Sequence, residues 1–194
     1  MDFCRRFFGP SPKSAVGAAS HPGAEKRAVA ATAPSQANME RRTFDAMGLD
    51  LGFWLGMLNV SVETGSIHAM PPGKLRQLVD HVRELQTGLG LTSEIDSRRG
   101  IDPIKEEVDR SCSPSCKILF KIGLILGDLG NPQRPVRDSR EIDILRTFLG
   151  CLQLPCSLLD PLSQALLRNP PPSEAFNVAL SKVHRDIAAA LNAP

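Results

Sequence analysis

The chain has 194 residues, of which 42% are hydrophobic and 23% charged, and its net charge at pH 7 is +2. That length makes one domain, or one domain with a tail. The charge balance excludes a strongly basic nucleic-acid binder, and the apolar fraction excludes an acidic, fully disordered chain.

The first segment is residues 1–38. From Gly9 to Asn38, twenty of thirty residues are Ala, Gly, Pro or Ser. Such a stretch buries too little apolar surface to offset its ordering entropy, and a disordered arm is expected. Its composition fits a plain extension, a non-cleaved secretion signal of the kind carried by exported bacterial effectors, or an organelle transit peptide. At its start, Cys4 with Arg5 and Arg6, beside Phe3, Phe7 and Phe8, is a candidate lipidation or peripheral membrane contact.

Residues 39–194 are expected to form the folded domain. Over 39–58, Phe44, Met47, Leu51, Trp54 and Leu58 recur at helical spacing, while Leu49, Leu51, Phe53, Leu55 and Met57 alternate at period 2. A helix is the favoured reading. Gly48, Gly52 and Gly56 then line one face, and each costs about 1 kcal/mol relative to Ala. A groove of this kind needs a close partner, and tight packing inside the molecule is the expected one. Residues 60–69 combine Val60, Val62 and Ile67 with the turn-forming run Glu63–Ser66, which suits a small β-hairpin or a loop.

Pro71-Pro72-Gly73 opens a clear amphipathic helix with the stripe Leu75, Leu78, Val79, Val82, Leu85 and Leu89. Short polar helices are expected over Thr92–Asp96 and Asp102–Arg110. After Pro114 comes a segment that is apolar on nearly every side, Ile118–Leu126, the expected centre of the core. Gly127, Gly130 and Asn131 are expected to end it. Asp138–Glu141 resembles a capping box before the stripe Ile142, Leu145, Phe148, Leu149 and Leu152. A further helix carries Leu158, Leu159, Leu162, Leu166 and Leu167. The last is capped by Ser173 and carries Phe176, Leu180, Val183 and Ile187. The sum is an all-α compact bundle of six to seven short helices.

Chemistry is sparse. The folded domain holds Cys112, Cys116, Cys151 and Cys156, spaced C-x3-C and C-x4-C. Neither pair has the C-x2-C knuckle of a zinc site, and the flanks are leucine-rich, so buried inert thiols are expected and no cofactor or metal is assigned. His81 and His184 fall on polar helix faces. No G-x-S-x-G, H-E-x-x-H or phosphate cradle occurs, and no catalytic residue is assigned. Arg98 with Arg99, and Arg134 with Arg137, form two basic loops and are the candidate contacts for an acidic or phosphate-bearing partner. No apolar run reaches the ~20 residues of a membrane-spanning helix, and the first residues lack the apolar stretch of a Sec signal peptide. The expected location is therefore the cytoplasm, export without a Sec signal, or an organelle.

The favoured function is a non-enzymatic helical protein–protein interaction module, an exported effector or adaptor. An enzyme using Cys112 with a distant His, and a peripheral membrane protein held through the Cys4 region, are the alternatives.

Overall fold

The computed structural model describes residues 36–96, 98–131, 139–168 and 173–192, all within the compact unit Ser35–Pro194. These residues form seven α-helices: α1 (Gln36–Glu63), α2 (Pro72–Gly88), α3 (Asp102–Ser111), α4 (Pro114–Gly130), α5 (Ser139–Cys151), α6 (Asp160–Arg168) and α7 (Glu174–Asn192). Single 3-10 turns occur at Ser66–Ala69 and Cys156–Leu159. Among the described residues the only β pairing is one isolated bridge between Asp96 and Gly100. The domain is an all-α bundle.

Its centre is the pair α1–α4, which run parallel with their backbones in contact. A Cβ placed on Gly52 would fall 2.1 Å from the Phe120 carbonyl oxygen, and one on Gly56 would fall 2.3 Å from that of Leu124. The fit is reciprocal. A Cβ on Gly123 would meet the Leu49 oxygen at 2.1 Å, and one on Gly127 the Phe53 oxygen at 2.0 Å. Two glycine stripes thus face each other, and no side chain separates the helices. The propensity lost at each glycine is offset by dispersion contact along the whole interface.

The flanks of the glycine stripe explain the mixed periodicity of α1. At 3.6 residues per turn, Leu49 and Phe53 lie on one side of the stripe, and Leu51 and Leu55 on the other. Leu49 joins a core with Ile122 and Leu126 of α4, Leu145 and Leu149 of α5, Leu162 of α6, and Phe176 and Val183 of α7. Leu51 and Leu55 join a second core with Val82 and Leu85 of α2, Ile104 and Val108 of α3, and Phe120 of α4. A helix buried on two sides has the apolar alternation of a strand without being one.

Polar groups pin both ends of the central pair. Near its start, Ser113 Oγ donates to the buried carboxylate of Asp45 at 3.1 Å and accepts from the Cys116 N–H at 3.1 Å, which caps α4. At its end, Asn131 Nδ2 donates to Met57 O and Ser61 Oγ, both at 2.9 Å. Ser173 Oγ likewise caps α7 by accepting from the Phe176 N–H at 3.2 Å.

Four sequence expectations are corrected. The hairpin near 60–69 does not form. α1 continues to Glu63 because Val60 and Ser61 are buried on its inner face, and a 3-10 turn follows. Thr92–Asp96 is not helical; its backbone N–H groups turn instead to the Glu107 carboxylate. Gly127 lies inside α4 and does not end it. Leu167 points outward, 84% exposed, off the apolar face of α6.

Candidate functional site

The arm residues Cys4, Arg5 and Arg6, and the loop residues Arg134 and Arg137, lie outside the described residues. Arg98 and Arg99 lie within them, at a tight turn. The Asp96 N–H donates to Gly100 O and the Gly100 N–H to Asp96 O, both at 2.9 Å, and Gly100 takes the positive φ of +57° that the turn requires. Asp96 Oδ1 accepts from the N–H groups of Arg98 and Arg99, each at 2.7 Å. Those two bonds hold its carboxyl below the usual carboxylate range.

The turn forms one wall of a cleft of about 490 Å³, and the opposite wall is the last turns of α1. Leu58 and Ile101 line its buried base. Val62, 51% exposed, and Ile95, 39% exposed, stand at its mouth, and Arg98, Arg99, Lys105, Glu63 and Asp102 make the rim. The cleft thus has an apolar floor within a charged rim.

The rim charges are unequally used. Arg99 Nη2 pairs with Glu106 Oε1. Lys105 Nζ pairs with Asp102 Oδ1 at 2.8 Å and lowers its pKa. Glu63 Oε1 accepts from Asn59 Nδ2 at 2.7 Å. Asp96 is satisfied by backbone. The Arg98 guanidinium has no ion-pair partner among the described residues. The cleft therefore presents one unsatisfied cation beside two exposed aliphatic side chains.

Behind the turn, Glu107 of α3 fixes the incoming chain. Its carboxylate accepts from the Thr92 and Ser93 N–H groups at 3.0 and 2.7 Å and from Thr92 Oγ1 at 3.0 Å. Partial burial pushes Glu107 up, but these bonds outweigh it and hold the group at about 2. Gln86 Nε2 donates to Ser93 O at 2.6 Å from the other side. The segment carrying Ile95 and Arg98 is thus anchored to α2 and α3.

A second cavity, of about 410 Å³, opens where α3 meets α4. Arg41, Phe44, Asp45, Leu89, Cys112, Ser113 and Cys116 are among its lining residues. Cys112 is half-buried and Cys116 buried. Among the described residues no histidine lines this cavity. His184 lies instead on α7, its ring centroid 4.8 Å from that of Phe53, with Nε2 3.1 Å from Asp50 Oδ1. Nε2 is buried and makes no hydrogen bond there. The His184 side chain is only 20% exposed, which corrects its placement on a solvated face. His81 stacks edge-on against Trp54, centroids 5.8 Å apart.

The four cysteines of the domain do not converge. Cys112 packs against the α2–α3 core and Cys151 against the other. Among the described residues no group of three or more His, Cys, Asp or Glu side chains is arranged to hold a metal ion. Nor, among them, is any helix long and apolar enough to cross a membrane.

No protein-family model, no curated protein and no solved structure matches the chain.

Proposed function

We propose that the chain is a non-enzymatic helical protein–protein interaction module, an exported bacterial effector or adaptor, whose recognition surface is the cleft between the end of α1 and the 96–100 turn. One observation carries this proposal. Val62 and Ile95, two of the few large apolar side chains left exposed, share a single cleft with an Arg98 that has no ion-pair partner. The matching ligand is a protein segment with a large apolar side chain next to a carboxylate. The apolar group fills the cleft over Leu58 and Ile101, and the carboxylate accepts from the Arg98 fork. The Ala-, Ser-, Pro- and Gly-rich composition of residues 1–38 supports export.

The test is selection from a displayed random-peptide library on the full chain. Enriched peptides should carry Asp or Glu within a few residues of Leu, Ile, Phe or Trp. Arg98→Glu and Val62→Asp, both surface changes, should each weaken binding about tenfold or more. Absence of enrichment, or binding indifferent to both substitutions, overturns the proposal.

A further inference from the structure

The cavity at the α3–α4 junction holds two thiols in unequal settings. Cys112 ends α3 in an extended conformation, two residues before Pro114 opens α4, and Cys116 sits in the first turn of α4. Cys116 is walled in by α1. A Cβ on Gly48 would meet its sulfur at 2.6 Å, and its Sγ lies 3.9 Å from Phe44 O. Cys112, half-buried, lines the same cavity as the buried Cys116. The two thiols therefore share one cavity, one partly accessible and one protected. Exposed Arg41 stands on the same wall.

We propose that Cys112 and Cys116 form a thiol–disulfide exchange site whose oxidant is a low-molecular-weight disulfide of the glutathione class. Cys112 is the attacking group and Cys116 the resolving one. The Cys112 thiolate attacks one sulfur of the small disulfide. That S–S bond breaks, one small thiolate leaves and takes up the proton Cys112 gave to water, and a mixed disulfide remains on Cys112. Cys116 then loses its proton and attacks the Cys112 sulfur, and the second small thiolate leaves and is protonated. Two protein thiols have been oxidised to one disulfide, and one small disulfide has been reduced to two thiols.

The surroundings favour this order. The neighbouring Cys116 thiol lowers the Cys112 pKa, burial opposes it, Lys117 adds to the lowering, and Glu107 and Asp45 oppose it. The same pairing raises Cys116, with burial and the Cys112 and Asp45 charges adding to the rise and Lys117 opposing it. Cys116 is thus a poor nucleophile until Cys112 has reacted. Once Cys112 is a neutral mixed disulfide, the chief cause of that suppression is gone. The first turn of a helix then favours the thiolate of Cys116. Arg41 is placed to hold a carboxylate of the oxidant.

The experiment is peptide mapping of the full chain after exposure to oxidised glutathione near pH 7, with Cys156 as internal reference. Cys156 is an exposed thiol that donates to the Arg146 carbonyl at 3.7 Å. A Cys112–Cys116 crosslink is expected, with Cys112 consumed about tenfold faster than Cys156. In Cys116→Ala the glutathione adduct should accumulate on Cys112. The pH profile of Cys112 alkylation should also move up. Cys112 left free while Cys156 is modified overturns the proposal. So does a mixed disulfide that persists in the parent chain with Cys116 unreacted. The parent's map and pH profile decide the matter even if the variant does not fold.

Discussion

Gly52 and Phe120 touch backbone to backbone: there is no room for even one carbon between the Gly52 Cα and the Phe120 carbonyl. The opposing atom is main chain, held by the hydrogen bonds of α4, and cannot rotate away. Gly52→Ala and Gly127→Ala should each destabilise the domain by about 2 kcal/mol or more, although alanine is the better helix former. Gly150, in α5, has nothing within 4 Å of its would-be Cβ. Gly150→Ala should instead stabilise by about 0.5–1 kcal/mol. Urea unfolding of the three variants reads the contrast, and equal effects would mean that α1 and α4 are not in contact.

Asn131 closes the far end of the same pair and is 2% exposed. Asn131→Ala takes one donor from Met57 O, which keeps the Ser61 hydroxyl, and leaves Ser61 Oγ without the donor it accepts from, at a cost of about 1–3 kcal/mol. Amide hydrogen exchange should quicken in the last turns of α1 and α4 before it does elsewhere. A uniform change across all helices would show that the contact is not a local clasp.

Glu107 makes stability depend on acid pH. Its folded pKa is about 2, against an ordinary value of 4.5. The group is depressed, so its contribution is present above pH 4.5 and is lost as the pH falls towards 2. The carboxylate is only partly buried, and screening limits the effect to about 1 kcal/mol. Glu107→Ala should be less stable than the parent near neutrality, and the gap should close below pH 4.5. A gap constant with pH would mean that the carboxylate charge is not what anchors Thr92 and Ser93.

Recognition through Arg98 should be salt-sensitive in its on-rate. Raising ionic strength from about 0.01 M to 0.15 M shortens the screening length from roughly 30 Å to 8 Å. Association of a selected acidic peptide should slow several-fold, while dissociation changes little. Arg98→Ala should flatten the dependence. An unchanged salt slope in that variant would place the steering charge elsewhere.

The helices were legible in the sequence where one face alone is buried. The stripes of α2, α5 and α7 follow a single period, and Val82, Leu145 and Val183 are buried as that period requires. The partner of α4 was not legible. Its closest neighbour is α1, and contact between two glycine stripes carries no hydrophobic signal. For the same reason Leu124, expected at the centre, is only half-buried: its backbone, not its side chain, faces α1. In the cleft, Arg98 and Arg99 were singled out together as a basic loop. Their difference depends on Glu106, a residue on another element, which takes Arg99 and leaves Arg98. The Cys112–Cys116 spacing was visible, but the burial that makes the two thiols unequal comes from Gly48 and Phe44, more than sixty residues earlier in the chain.

The shared wall that α1 gives to both cores sets how the domain gives way under load. Traction applied ahead of Gln36 acts first on α1, the first described helix. Withdrawing it takes Leu49 from one core and Leu51 and Leu55 from the other in the same stroke. Neither half keeps a closed interior, so the two fail together rather than in turn. A chain stretched between its ends should give one rupture in a force trace, whereas separate ruptures for 36–131 and 139–192 would contradict a common wall.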